Sequence, residues 1–435
     1  MADEKKDRAA IGKLVRAYFA DHKRPAPFEP GVTPIPCGGR VFDGAEMERL
    51  VDAALDFWLT AGGEAESFEA RCAALVGVDH AFFVNSGSSA LLLAVTALFD
   101  QTLGARRLKA GDEVITPAMG FPTTVAPIVM AGGVPVFVDV ELPFYNPSVE
   151  AVRAAITDRT RAIVIAHAMG NPFDAKGIAA LAAEHDLWLV EDNCDAFGSR
   201  YRGALTGAFG HLSTLSFYAS HHMTTGEGGA VLTGSDELAR IVRSLRDWGR
   251  DCVCAPGRDD TCGERFTRLH GTLPRGYDHK YVCARLGFNL KATDLQAAVG
   301  LAQLDKLDAF TTARGKNFKR IAERLSALGE RLLLPEATPG SEPSWFGFPI
   351  TLGEACARSR AEVIGALEKG RIATRMLFAG NLTRHPAFDD VAYRISGSLE
   401  TTDRIMNHSF WVGCYPGLTE EMCDFLAASI GDALS

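Results

Sequence analysis

The sequence predicts a two-part α/β protein, with a large, mainly parallel sheet covered by helices on both faces and a smaller α/β unit after it. Three observations carry that expectation. Short apolar runs at 81–84, 113–116, 134–138, 162–166 and 187–190 alternate with segments of helical periodicity, the signature of crossover-connected strands. A chain of 435 residues exceeds what one hydrophobic core usually serves, so two domains are the natural division. Its 47% hydrophobic and 23% charged residues are the proportions of an ordinary globular chain.

Residues 1–40 read as an N-terminal arm, a charged amphipathic stretch at 11–19 followed by a proline-rich run at 25–30. Residues 41–305 form the large domain. Met47, Leu50, Val51, Ala54, Leu55 and Trp58 recur at helical spacing and predict a helix over 46–60, with another over 64–75. After the strand at 81–84, Asn85-Ser86-Gly87-Ser88-Ser89 opens a helix over 90–99. Small hydroxyl side chains cap such a start, and its exposed amides make a ready anion site. Residues 117–124 lead from the strand at 113–116 into a helix, and the strand at 134–138 follows. The run at 162–166 passes through a helix around 178–185 to the strand at 187–190. Asp192 lies just past that strand's carboxyl end, where ligands collect in such sheets. A further helix is expected over 239–248. Residues 306–435 form the small domain, entered by a Lys- and Arg-rich helix at 304–328 and completed by a strand at 344–350 and helices at 362–369 and 420–430.

The net charge of −9 and pI near 5.7 argue against a nucleic-acid surface, which needs a basic footprint. No apolar run reaches the roughly 18 to 20 residues of a membrane span, and the acidic and basic start lacks a signal peptide's apolar core. A cytoplasmic location is therefore expected. In that reducing compartment ten cysteines point to thiols or metal ligation before disulfides.

The stretch 216–229 decides the chemistry. Three glycines in four positions, within Gly226-Glu227-Gly228-Gly229, predict a tight connection between two strands, the second containing Ala230-Val231-Leu232. His221 and His222 stand at its approach, and spacing alone makes them two polar residues of a solvated loop. The wider pattern is Ser216-Phe217, three residues, His221, and then the glycine turn. It resembles the cofactor-lysine segment of the nucleotide-sugar aminotransferases, the DegT/DnrJ/EryC/StrS family of PLP enzymes. In that family a lysine binds PLP covalently. His221 fills its slot here, and an imidazole cannot form that bond, although its ordinary pKa of about 6.5 suits it to moving protons. This substitution resembles the nucleotide-linked 4-keto-6-deoxyhexose 3-dehydrases, which keep the cofactor as free pyridoxamine phosphate (PMP).

The resemblance covers nearly the whole chain and implies fold type I, the aspartate aminotransferase-like fold, with a seven-stranded sheet in the large domain. It implies Ser88 and Ser89 as ligands of the cofactor phosphate, Phe121 stacked on the pyridine ring and Asp192 paired with the protonated ring nitrogen. A buried carboxylate without a charged partner is costly, which favours that role for Asp192. Asp195 stands where the family has His or Gln against the ring hydroxyl, a departure, and Ser216 is a further cofactor contact. Asn289, in Gly287-Phe288-Asn289, would reach the cofactor phosphate of a neighbouring subunit, so a homodimer is implied. Tyr218 and Arg375 are implied substrate contacts. On the residues alone, core packing explains Phe121, a helix cap Asn289 and surface packing Arg375 equally well.

The cysteines form a second constellation. Cys252, Cys254 and Cys262 cluster after the helix at 239–248, in spacing that fits neither zinc fingers nor plant-type ferredoxins, and free thiols or a structural zinc remain open. The dehydrases carry a 2Fe-2S cluster on one cysteine near the cofactor aspartate and three in a later loop. Cys194, Cys252, Cys254 and Cys262 fill all four positions, with the cluster loop near 250–265. The other six cysteines show no grouping.

The implied reaction removes the C3 hydroxyl of a nucleotide-linked 4-keto-6-deoxyhexose, with CDP the expected nucleotide and His221 the general base. Electrons come from an NADH-dependent flavin/iron-sulfur reductase through the cluster. The product would be a 3,6-dideoxy-4-ketosugar, of the kind that feeds lipopolysaccharide O-antigens or glycosylated natural products. Two rivals remain: a cluster-free PMP-dependent 3-dehydratase, and a non-catalytic binding protein on the same fold.

Overall fold

The computed structural model describes residues 3–23, 26–254 and 257–435. Pro25 of the proline-rich run and residues 255 and 256 of the cysteine loop lie outside the described residues.

The chain opens with α1 (Glu4–His22), longer than the stretch expected at 11–19, held on α2 (Gly44–Leu55) by Arg8, which donates to Asp52 Oδ1 at 3.0 Å. A capping box of Asp43 and Glu46 starts α2. The helix stops short of residue 60 because Phe57 takes φ +51° and Trp58 Nε1 donates back to the Ala61 carbonyl at 2.9 Å. After α3 (Gly63–Val76) come β1 (His80–Val84), α4 (Gly87–Ala97), β2 (Glu113–Pro117), α5 (Pro122–Met130), β3 (Val134–Val138), α6 (Val149–Ala154), β4 (Thr160–Ala166), α7 (Ala175–Glu184) and β5 (Trp188–Asp192). A small hairpin, β6 (Arg200–Tyr201) and β7 (Ala204–Leu205), precedes β8 (Leu212–Ser216), β9 (Gly229–Thr233) and α8 (Asp236–Arg246). Past the cysteine loop, α9 (Asp294–Leu304) and α10 (Leu307–Leu325) lead into β10 (Leu332–Leu333), β11 (Ser341–Glu342), β12 (Gly347–Leu352), α11 (Arg360–Lys369), β13 (Arg394–Ile395), α12 (Glu400–His408), β14 (Ser409–Gly413) and α13 (Glu420–Ala433).

The large sheet has the order β1-β9-β8-β5-β4-β2-β3-β13, and only β9 runs antiparallel to its neighbours. Seven strands belong to the expected fold type I sheet. The eighth, β13, is two residues long and adds an edge from the C-terminal region, too short to show as periodicity. One face packs Leu93, Val114, Val190 and Ile241 with α4 and α8, and the other packs Ile115, Ile163, Ile178 and Leu189 with α7. A separate core gathers Ile321, Phe348, Ile350, Val412, Leu426 and Ile430. Ile35 from the N-terminal segment enters that core, its amide donating to the Arg371 carbonyl and its carbonyl accepting from Ala373 N, both at 2.9 Å.

Two expectations change. The strand expected at 344–350 begins at Gly347, because Ser344 spends its amide on Ser199 Oγ (2.8 Å) and its carbonyl on His222 Nε2 (2.6 Å). The glycine-rich stretch is not a tight strand-to-strand turn. Residues 217–228 loop out from the end of β8, and the neck is closed by Phe217 N donating to the Gly228 carbonyl at 2.9 Å. Within Gly226-Glu227-Gly228-Gly229 only Gly226 takes positive φ, +85°.

Candidate active site

The carboxyl ends of β1, β2, β5 and β8 open on one edge of the sheet, and the loops leaving them carry Ser86 to Ser89, Phe121, Asp192 to Asp195, and Ser216 to His222. At the start of α4 the cap is Ser86, whose Oγ accepts from Ser89 N at 3.1 Å. Ser88 Oγ lies 3.1 Å from Thr123 Oγ1. Gly87 must be glycine, since a Cβ there would stand 2.6 Å from Ser216 Cβ and 3.0 Å from Cys194 Sγ. The helix start is thereby pressed against the β5 and β8 loops, with its first amides available to an anion. Phe121 precedes α5 and is 50% exposed on this edge, so it is not the core phenylalanine that packing alone predicts.

Asp192 is buried and uncompensated. Thr124 Oγ1 donates to its Oδ2 at 2.6 Å and Cys194 N to its Oδ1 at 3.2 Å, yet no cationic side chain pairs with it among the described residues. Such a carboxylate calls for a cation from outside the chain. A protonated pyridine nitrogen is one.

Asp195 lies close by, and burial with the Asp192 charge pushes its carboxyl up to about 8. The Cys194 thiol is likewise raised, first by burial and then by Asp192, and its Sγ lies 3.8 Å from Thr214 Oγ1.

His221 is fixed in one tautomer. Its Nδ1 is 2.8 Å from the Cys194 carbonyl, which only accepts, so Nδ1 carries the proton and Nε2 keeps a lone pair. Asp195 Oδ1 is 3.6 Å from the same Nδ1. Burial, with the Arg314 charge adding to it, lowers the imidazole to about 4. The ring is therefore neutral at physiological pH.

Two neighbours of this ring, Arg314 and Phe346, escape sequence reasoning, and a third, His222, is placed differently. Arg314 is 1% exposed; its Nη2 donates to the His221 carbonyl, and its Nη1 to those of Trp345 and Phe346, all at 3.0 Å. His222 is buried and tied to the Ser344 carbonyl, not a solvated loop residue. Phe346 sets its ring 5.0 Å from that of His221. Arg314 is one of several Lys and Arg on its helix, and Thr124 is one of many threonines; no local pattern marks either.

Ser88, Ser89, Phe121, Asp192, Asp195, Ser216, Tyr218 and His221 thus lie at one edge of the sheet, on strand ends, the α4 start and the loops between, with Tyr218 half-exposed beside the His221 ring. Asn289 is exposed, receives Lys291 Nζ at 2.7 Å and touches none of these residues. Arg375 also stays apart; its backbone bridges Trp411, which packs on Phe346.

Cys252, Cys254 and Cys262 interact within one loop. Hydrogen bonding from Thr261, then from Cys262 and Cys252, holds the Cys254 thiol down to about 7, while burial raises that of Cys252. Cys262 Sγ lies 3.6 Å from His279 Nε2. Among the described contacts none links Cys194 to this trio.

Fold and edge define a fold type I, PLP-dependent enzyme. The chain belongs to the DegT/DnrJ/EryC1/StrS aminotransferase family, whose model matches residues 42–430. It is accordingly an enzyme of the PLP-dependent sugar aminotransferase and 3-dehydratase group. The dTDP-4-dehydro-2,6-dideoxy-D-glucose 3-dehydratase of Saccharopolyspora spinosa is 54% identical over 432 residues, 99% of this chain and 93% of that protein. The lipopolysaccharide biosynthesis protein RfbH of Salmonella typhimurium is 50% identical over 421 residues, 97% and 96% of the two chains. Among solved structures, E. coli GDP-4-keto-6-deoxy-D-mannose-3-dehydratase with bound hydrated PLP superposes with a TM-score of 0.82 at 26% identity, covering 91% of this chain and 99% of that one. Among the described residues no helix is long and apolar enough to cross a membrane.

Proposed function

We propose that the protein is a PMP- and 2Fe-2S-dependent 3-dehydrase of a nucleotide-linked 4-keto-6-deoxyhexose, supplied with electrons by an NADH-dependent flavin/iron-sulfur reductase. The observation that carries the reading is the buried His221 imidazole, its Nδ1 anchored on the Cys194 carbonyl and its Nε2 lone pair free; the resemblance puts it in the slot where the family binds PLP through lysine.

The residues fit the cofactor. Asp192 would hold the pyridinium that its buried, unpaired charge requires; the α4 start with Ser88 and Ser89 would take the phosphate; and Phe121 would cover the ring. Asp195 would meet the ring oxygen, and Ser216, pressed against Gly87, would close the cradle. Bound there, PMP supplies an amine for the C4 ketone and a ring that accepts an electron pair. His221 then acts as the general base, its Nε2 taking a proton beside that ring while Nδ1–H stays anchored on the Cys194 carbonyl. Arg314 holds the backbone of that histidine still. Tyr218 and Arg375 are proposed to contact the sugar or its nucleotide.

For the cluster, Cys194, Cys252, Cys254 and Cys262 are the proposed ligands, and such a centre would pass single electrons. The depressed Cys254 thiol suits ligation. CDP or dTDP is the proposed nucleotide, the 54% relative being named for a dTDP-linked sugar. A homodimer completes the proposal, with Asn289 serving the partner's site. The cytoplasmic location follows from the dependence on NADH.

The test is purification without oxygen, followed by iron, sulfide and vitamin B6 assays and turnover of CDP- and dTDP-linked ketosugars with reductase and NADH. Loss of the C3 hydroxyl by a brown, iron-containing protein is expected. A colourless protein that dehydrates with glutamate as amine source sinks the cluster, and one holding neither iron nor vitamin B6 ends the proposal.

A further inference from the structure

The cysteine loop contains a buried histidine for which the cofactor site has no use. His279 is 2% exposed, in a short turn where its amide donates to the Arg265 carbonyl at 2.9 Å. The turn is braced by Asp278, which receives Lys280 N at 3.0 Å and Arg265 at 2.8 Å. The imidazole therefore has little freedom. Its Nδ1 has no hydrogen-bond partner, and its Nε2 lies 3.6 Å from Cys262 Sγ. A sulfur that ligates iron only accepts, so beside a ligating Cys262 the facing proton belongs on Nε2.

Asp251 and His270 lie beside it, within reach of one cation. Asp251 Oδ2, however, already receives Arg268 Nη1 at 2.9 Å, so a guanidinium occupies the position of positive charge. The sulfur is the better partner.

We propose that His279 donates an N–H···S hydrogen bond to the ligating Cys262 and so raises the reduction potential of the cluster, making His279 a positioning and tuning residue for electron entry. This rests on the cluster reading above. A donor aimed at a ligand sulfur stabilises the extra negative charge of the reduced centre, and hydrogen bonds to sulfur are among the principal controls of such potentials. One electron arrives from the reductase and stays on the cluster. The Nε2 proton remains on His279, and no bond is made or broken.

The experiment uses the full chain, reconstituted with iron and sulfide without oxygen, with the midpoint potential read by an absorbance-monitored redox titration and the reduced centre by electron paramagnetic resonance. His279→Leu is expected to retain iron and to move the potential negative by at least about 59 mV, a tenfold change in a one-electron equilibrium. His279→Gln, whose amide N–H reaches the same point, is expected to stay near the wild type. An unchanged potential in His279→Leu overturns the inference while leaving the cluster intact. Loss of iron from both variants, which makes His279 a ligand, overturns it too. Absence of iron from the wild type fails the functional reading itself.

Discussion

Replacing Arg314 by methionine tests how the His221 loop is held. The side chain is buried and ends on three backbone carbonyls, those of His221, Trp345 and Phe346, each at 3.0 Å. Trp345 keeps a weak donor in the Cys414 thiol at 3.5 Å, so two carbonyls are stranded by the substitution. An unsatisfied buried carbonyl costs about 1–3 kcal/mol, and removing the buried guanidinium returns part of its desolvation penalty, giving a net loss of about 2–4 kcal/mol. Arg314→Lys keeps the charge but cannot span three acceptors, and falls between. A second readout concerns the imidazole. The Arg314 charge helps hold His221 at about 4, so its removal moves the His221 titration upward. Urea unfolding at neutral pH gives the first quantity and NMR titration of the ring the second. An Arg314→Met protein within about 0.5 kcal/mol of the wild type, with His221 titrating as before, would refute the reasoning.

Three further outcomes are expected. If His221 fills the lysine slot as proposed, His221→Lys should yield a protein that binds PLP covalently, visible as an absorbance band that survives gel filtration. Asp195, raised to about 8 by burial and then by Asp192, binds its proton more tightly folded than unfolded, so its contribution to stability is present below about pH 4 and is lost as pH rises towards 8. Asp195→Asn should therefore gain stability relative to the wild type on going from pH 5 to pH 8, and an identical urea midpoint difference at both would contradict that sign. Cys254→Ser should lose iron and net reduction while retaining PMP, measured by iron assay and cofactor absorbance.

The sheet was legible because its central strands are buried on both faces and so read as unbroken apolar runs, as at 162–166. The α4 start was legible because capping chemistry is local. His221 stood out by resemblance, since only the pattern around it distinguishes it from a loop residue. What escaped depends on contacts distant in sequence. Arg314 meets His221 across 93 residues, and β14 was missed although Phe348 pairs with Val412 across the sheet. Ser344 looked like strand because its neighbours are apolar, yet its backbone is taken by Ser199 and His222. His279 and Cys262 meet across 17 residues of irregular chain with no periodicity to connect them.

Ile35 enters a core completed by α13, near the other end of the chain, and a Cβ on Gly38 would lie 3.1 Å from Ser220 Cβ, just ahead of His221. The segment ahead of α2 thus finds its seat only when α13 has packed. A protein clipped between Gly39 and Arg40 would therefore lose both a core plug and the contact of Gly38 with the loop that carries His221.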